Sequence, residues 1–144
     1  MNNKEAPNEM HILKERAKEL NCLYQVDEIL NNQRFSLAEM FEAIVQAIPS
    51  GWQFPEICEA RIVYENNNYQ TSKFYPSPYS EKSPIKVDGK VVGYLEVAYT
   101  EQVPQTEEGC FLEKERKLIN TIADRIGQTI FHRQMKHVLW EWNE

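Results

Sequence analysis

The sequence predicts an α+β domain that combines an antiparallel β-sheet with long N- and C-terminal helices packed on one face of the sheet. Apolar residues recur at steps of three and four near both ends of the chain, as is typical of amphipathic helices. Residues 57–99 instead alternate apolar and polar residues as strands do, and they contain Asp88-Gly89, a strong hairpin signal. A chain of 144 residues has room for one such domain.

The first helix is predicted from Glu9 to Leu30, after a disordered segment at 1–8. Pro7 stands just before this helix, and the pair of asparagines at 31–32 closes it. The apolar stripe covers about six turns. It is formed by Leu13, Ala17, Leu20 and Tyr24 and is widened by Leu23, Val26 and Leu30.

A shorter second helix is predicted to begin at Leu37. Ser36 and Glu39 have the spacing of a capping box, in which each side chain accepts a hydrogen bond from the other residue's backbone amide. The Pro-Ser-Gly sequence at 49–51 is expected to end the helix. Its buried face is predicted to consist of Met40 or Phe41, Ile44, Val45 and Ile48.

Strands are predicted in the middle of the chain. The first should place Cys58, Ala60, Ile62 and Tyr64 on its drier face. A tight turn is expected at Asn66-Asn67, and the segment 75–79 is a loop because its two prolines lack the amide donors of a central strand. The predicted strands are 57–65, 68–74, 83–87 and 90–99.

The last helix is predicted to run unbroken from Phe111 to about Trp142, over roughly 45 Å. A domain of about 100 residues is only about 30 to 35 Å across, so part of this helix should overhang and need a partner, most simply a second copy. One apolar stripe should pack on the sheet or the first helix; it comprises Leu112, Leu118 or Ile119, Ile122, Ile126 and Ile130. A second stripe points elsewhere, unless the last turns fold back on the domain; it comprises Phe131, Met135, Val138 and Trp142.

Composition limits the partners. The net charge of −6 argues against nucleic acid or a membrane surface, because binding to phosphate requires a basic surface. The chain has neither a signal-peptide pattern nor a run of about 18 apolar residues, which predicts a soluble, cytoplasmic protein. Cys22, Cys58 and Cys110 are odd in number and widely spaced, which favours reduced thiols over disulfides or metal ligands.

Catalytic motifs are scarce. The five glycines form no phosphate-binding loop. His132 and His137 lie about 140° apart around a helix, so one helix face cannot present both to a metal ion. We therefore predict no catalytic residue, no metal and no cofactor.

Several blocks of sequence together resemble the GAF-like sensor domains of bacteria, which occur upstream of histidine kinase cores and of enzymes similar to phosphoenolpyruvate synthase. The blocks are LKERAKELNCLY at 13–24, IVQAIPSGWQFP at 44–55, ARI at 60–62, IKV at 85–87 with VGYLEVAY at 92–99, and ERKLINTIADRI at 115–126. The resemblance implies a domain at 9–130, an exit helix at 131–144 and a kinase or phosphotransfer effector further along. It also implies dimers built from the terminal helices, for which we predict an interface of Leu13, Leu20, Ile119, Ile126 and Ile130.

The resemblance implies that the strands of Arg61 and Glu96 are neighbours in the sheet. Both residues fall on the less apolar face, so they should form a cross-strand ion pair. With Trp52 and Tyr94 they would alternatively frame a shallow site for a small ion or metabolite. The structural pair is the favoured interpretation, because exposed sheet faces commonly carry such pairs.

Two functions follow from the resemblance. The first is a non-catalytic regulatory module that dimerises and passes a signal to its effector. The second is a thiol-dependent enzyme, because some GAF-fold proteins reduce free methionine sulfoxide with cysteines. The segment between Phe74 and Ser83 is too short for the usual lid over a GAF pocket, which argues against a bound nucleotide or chromophore.

Overall fold

The computed structural model describes residues 5–105 and 107–142, and within them the chain is α+β. Three α-helices flank a four-stranded sheet, and 3₁₀ turns at Ile48–Gly51 and Pro55–Ile57 lead into it. The α-helices are α1 (Glu5–Leu30), α2 (Leu37–Ala47) and α3 (Glu113–Trp142), and the strands are β1 (Cys58–Tyr64), β2 (Asn67–Gln70), β3 (Ser80–Val87) and β4 (Lys90–Tyr99).

The chain ends differ slightly from the prediction. Helix α1 begins at Glu5, so residues 5–8 are helical rather than disordered as predicted, while residues 1–4 lie outside the described part of the chain. Pro7 is compatible with this start because the first turn of a helix needs no amide donors. Helix α3 is continuous to Trp142, and the remainder of the predicted exit helix, 143–144, lies outside the described residues.

Helix α2 has the predicted capping box. The Glu39 amide donates to Ser36 Oγ and the Ser36 amide donates to Glu39 Oε1, both at 3.1 Å. Hydrogen bonds from Ser36 to the Glu39 carboxylate, first from its backbone amide and then from its side chain, lower the pKa of Glu39. The predicted buried face is confirmed, because Met40, Phe41, Ile44, Val45 and Ile48 all lie in the core.

Replacing Ser36 by alanine is expected to lower the free energy of unfolding by about 1 kcal/mol, because the Glu39 amide loses its acceptor. Urea unfolding followed by circular dichroism measures the change. Glu39→Gln is the matched control, since glutamine can return the bond to Ser36 and should cost less. Equal stability of Ser36→Ala and the parent protein would contradict the role of the cap.

The sheet is antiparallel throughout, as predicted, with strand order β2-β1-β4-β3. The predicted Asp88-Gly89 turn is confirmed, since both residues have positive φ angles of 51° and 78°. The turn predicted at Asn66-Asn67 is shifted by one residue. Glu65 and Asn66 take the positive φ angles, and Asn67 already opens β2.

One face of the sheet packs on the helices. The β1 residues predicted for the drier face pair with apolar residues of β4, in the register Cys58 with Tyr99, Ala60 with Val97 and Ile62 with Leu95. All six side chains are buried. Gly127 of α3 lies against the backbone of β3, where a Cβ atom would be 2.1 Å from the Lys86 carbonyl oxygen.

The other face of the sheet, which we call the outer face, is crossed by a short segment. Strands β2 and β3 form opposite edges of the sheet, so the chain between them, residues 71–79, passes from one edge to the other. We call this segment the strap. Phe74 of the strap is buried, and Ser77 Oγ donates to the Tyr99 carbonyl at 2.7 Å. Edge strand β3 carries Pro84, which has no amide donor.

Helices α1 and α3 lie side by side and run parallel. Asp27 of α1 forms an ion pair with Arg125 of α3, and Arg133 donates to the Phe35 carbonyl just past the end of α1. Asp27 lies three residues before the end of α1 and Arg125 seventeen residues before the end of α3, so about fourteen residues of α3, or roughly 20 Å, extend beyond α1.

Candidate functional site

The α1 stripe predicted from sequence divides into two in the structure. Val26 and Leu30 of the predicted stripe enter the core, together with Cys22. Leu13 and Leu20 instead expose 61% and 68% of their surface. Nine residues separate Leu13 from Cys22, which places the two side chains about 180° apart around the helix. One side of α1 therefore packs on the domain while the opposite side presents apolar residues to solvent.

The solvent side of α1 has the spacing of a coiled coil. Its apolar positions follow one another at steps of three, four, three and four, so they stay in line over two heptads. Each of these residues is exposed. We call this set the α1 seam; its members are Met10, Leu13, Ala17, Leu20 and Tyr24.

The end of α3 carries a second stripe with the same period, which we call the exit stripe. Its members are Phe131, Met135, Val138 and Trp142. Trp142 exposes 83% of its surface, and Met135 and Val138 are also exposed. The alternative that the last turns fold back on the domain is wrong, because α3 stays helical to Trp142 and its last three stripe residues are exposed; only Phe131, at the start of the stripe, packs partly against the core.

Part of the predicted dimer interface needs correction. Ile119, Ile126 and Ile130 were predicted to face a second copy, but all three are buried in the chain's own core. They lie on the side of α3 that packs against the sheet, together with Gly127. Leu13 and Leu20 remain exposed, so α1 and the last turns of α3 carry exposed apolar surface on the helix layer.

The predicted ion pair on the outer face is present. Arg61 and Glu96 are directly opposite in β1 and β4, and Arg61 Nε and Nη2 donate to Glu96 Oε1 at 3.2 and 2.5 Å. The pair is not solvated as expected, since Glu96 is only 3% exposed. The Phe74 ring of the strap covers the Arg61 guanidinium at 4.8 Å, and Tyr94 lies 5.7 Å away on the same face.

Trp52 does not join this group. Its side chain is completely buried in the core, and its Nε1 donates to Glu81 Oε1 at 3.2 Å. Glu81 pairs with Val97, whose side chain is in the core, so Trp52 lies on the helix side of the sheet. The four predicted ligand-binding residues are therefore split between opposite faces of the sheet.

Two acids on the helix side of the sheet, the buried Glu115 and the half-buried Glu81, were not among the predicted site residues. Glu115, 1% exposed, accepts hydrogen bonds from the Leu112 amide at 2.8 Å and from the Gln53 amide at 2.7 Å. Glu115 lies three residues after Leu112, the spacing of a carboxylate that caps the start of a helix, so the sequence did contain a signal for it. Glu81 carried no such signal, because it reads as an ordinary polar residue before a strand. Burial raises the pKa of both carboxyl groups, that of Glu81 to about 7.

The cysteines are spread through the molecule. Cys22 and Cys58 are buried, and burial raises the pKa of Cys22 to about 12 and that of Cys58 well above its usual value. A raised pKa leaves the thiol protonated and a poor nucleophile. Cys110 is half-buried in the loop before α3. The thiol environment thus gives little support to cysteine catalysis.

The described residues also show no cluster of three or more histidine, cysteine or acidic side chains that would hold a metal ion. Within the same part of the chain, none of the helices has the length and apolar character needed to cross a bilayer. No known family model matches the sequence, and no curated protein matches it significantly.

Proposed function

We propose that this chain is a non-catalytic, GAF-like regulatory module of the cytoplasm that dimerises through its terminal helices and couples a signal to an effector. The observation that carries the proposal is the α1 seam. Five apolar side chains in coiled-coil register face away from the core, and a helix surface of this kind is stable when a matching helix covers it. The antiparallel sheet with both terminal helices on one face supports the GAF-like assignment.

A second copy of the chain is the partner that fits best, and its α1 should run parallel. In a parallel coiled coil, a charged residue beside the seam lies close to the residue five positions further along in the other chain. Glu9 and Lys14 flank the seam at this spacing, so each Glu9 would face the Lys14 of the other copy. The two-fold pairing would satisfy both charges, whereas like charges there would repel.

The same dimer would align the ends of the two α3 helices, which carry the exit stripes. Because α3 runs parallel to α1 and extends past it, the two exit stripes would leave the domain pair at one end and side by side. A signal that favours one packing of the helix layer would then change how the two exit helices meet. A histidine kinase core or a phosphotransfer enzyme, in the same chain or another, is the proposed effector.

Replacing both Leu13 and Leu20 by aspartate is expected to convert the dimer into a monomer. Four buried charges in the pair would disfavour association strongly, because unpaired carboxylates cannot be desolvated cheaply. Light scattering should give twice 17.0 kDa for the parent protein and 17.0 kDa for the variant at about 10 µM protein. A parent protein that is monomeric up to 100 µM would overturn the proposal.

Val91→Asp is the matched control, since Val91 is an exposed apolar residue in the β3–β4 hairpin, far from the seam. This variant should remain dimeric. Orientation has its own test. Met10→Cys, in a Cys110→Ser background, should form a disulfide with its twin only if the helices are parallel, because an antiparallel pair would place Met10 beside Tyr24.

The outer-face group of Arg61, Tyr94 and Glu96 fits a structural role better than a small-molecule site. Arg61 is already bonded to Glu96 and covered by the Phe74 ring, so both its charge and the face of its guanidinium group have a protein partner. If the pair is structural, Arg61→Ala should destabilise the strap without changing the dimer or its output. Loss of signalling with unchanged stability would favour a ligand there.

A further inference from the structure

Two acids, the buried Glu115 and the half-buried Glu81, hold adjacent residues of one loop. Trp52 and Gln53 lie between α2 and β1, and both donate to carboxylates. The Trp52 indole Nε1 donates to Glu81 Oε1 of β3 at 3.2 Å, and the Gln53 amide donates to Glu115 Oε2 of α3 at 2.7 Å. The loop is thus fixed to the sheet by one acid and to the first turn of α3 by the other.

The protein supplies more hydrogen-bond donors to Glu115 than to Glu81. Glu115 uses both oxygens, since Oε1 accepts from the Leu112 amide and Oε2 also accepts from the Tyr99 hydroxyl at 3.4 Å. Glu81 has the Trp52 bond alone, and its Oε2 is buried without a hydrogen-bond partner among the described residues. A buried anion that lacks donors is costly, so Glu81 is the acid that gains most by binding a proton.

The groups around Glu81 come from four elements. Trp52 approaches from the loop, Glu115 and Arg116 from α3, Cys58 from β1, and Tyr99 of β4 lies next to Glu115. Burial is the main influence on Glu81 and the Glu115 charge adds to it, whereas the Trp52 bond and Arg116 act in the opposite direction. The net result is a pKa of about 7.

We propose that the proton on Glu81 is a switch that keeps the Trp52–Gln53 loop closed against β3 and the start of α3. When Glu81 is neutral, the indole bond persists and the acid does not repel Glu115. When Glu81 ionises, the indole bond to it becomes stronger, but its buried Oε2 requires water and its charge repels Glu115; these two effects outweigh the bond, so the loop moves away from the first turn of α3. α3 continues into the exit stripe, so on the proposed function, in which α3 is the output helix, the protonation state of Glu81 is connected to the output.

The direction of the linked stability change follows from the raised pKa. Between pH 4.5 and about 7 the folded state holds the Glu81 proton more tightly than the unfolded state does. The free energy of unfolding should therefore fall as the pH rises through this range. Glu81→Gln, which keeps an acceptor for the indole, should remove this part of the dependence.

The test observes the Trp52 indole N–H directly by ¹H–¹⁵N nuclear magnetic resonance from pH 5 to 9. Trp140→Phe and Trp142→Phe assign the other two indole signals. We expect the Trp52 signal to shift with a midpoint near pH 7 in the parent protein and to stay constant in Glu81→Gln. A signal that does not titrate in the parent protein, or that still titrates in Glu81→Gln, overturns the switch.

Glu59→Gln is the matched control. Glu59 is a half-buried acid of β1 on the outer face, where its Oε1 accepts from the Lys73 amide at 3.1 Å, so its replacement should leave the Trp52 titration intact. Hydrogen exchange of the Gln53 amide supplies a readout that needs no variant. Its protection, corrected for intrinsic rates, should fall between pH 6 and 8; constant protection would show that the loop does not open.

Discussion

Gly127→Ala is expected to destabilise the domain by about 3 kcal/mol or more, because the added methyl group has no room against β3. The Cβ of alanine would lie 2.1 Å from the Lys86 carbonyl oxygen and 3.2 Å from its carbonyl carbon. These are backbone atoms of β3, which cannot turn aside as a flexible side chain would. Alanine gains about 1 kcal/mol in helix propensity over glycine, and the clash outweighs that gain.

Urea unfolding of Gly127→Ala measures the loss. Gln128→Ala serves as the control, because Gln128 is the next residue of α3 but is exposed, and its replacement should change stability by no more than about 0.5 kcal/mol. If Gly127→Ala were as stable as Gln128→Ala, α3 would not pack on β3 as closely as the structure describes.

Glu115→Ala should cost about 3 kcal/mol, for a different reason. Glu115 is the shared acceptor for the Leu112 amide at the start of α3 and the Gln53 amide of the neighbouring loop. Its removal leaves two amides without that acceptor in a buried place, and each such loss costs about 1 to 3 kcal/mol. Glu115→Gln retains one acceptor oxygen and should cost about half as much.

Thermal unfolding of the two variants beside Glu113→Ala separates this role from simple charge removal. Glu113 is exposed and forms a 3.8 Å pair with Lys117, so its loss should change stability by less than about 1 kcal/mol. Desolvation raises the pKa of Glu115, which means that its ionisation opposes folding as the pH rises above the carboxyl range. A Glu115→Ala cost no larger than that of Glu113→Ala would contradict the proposed role.

The helices and the sheet were predictable because their signals are local. The capping box at Ser36 and the Asp88-Gly89 turn each depend on residues within a few positions, and both are present as predicted. The β1 alternation also fixed which side chains face the core. Boundaries near Glu5 and Asn66 were less accurate, because helix ends and turn positions depend on small differences in free energy.

The candidate site was less predictable, because its members depend on which side of each helix packs on the domain and which side stays exposed. Periodicity merged the exposed Leu13 and Leu20 with the buried Val26 and Leu30 into one stripe, since all of them recur at helical steps. Only the packed structure shows that one is buried and the other is not. Ile119 and Ile126 were assigned to a partner for the same reason. The contact of Trp52 with Glu81 spans 29 residues and has no local pattern at all.

Pro84 affects how copies of this chain can associate. An edge strand with a full row of amides invites another strand to add to it, and repeated addition leads to fibres. The missing donor in β3 weakens that edge as a template, while the α1 seam stays exposed. The proposed pairing of α1 helices would be complete at a closed pair and would offer no free end for growth.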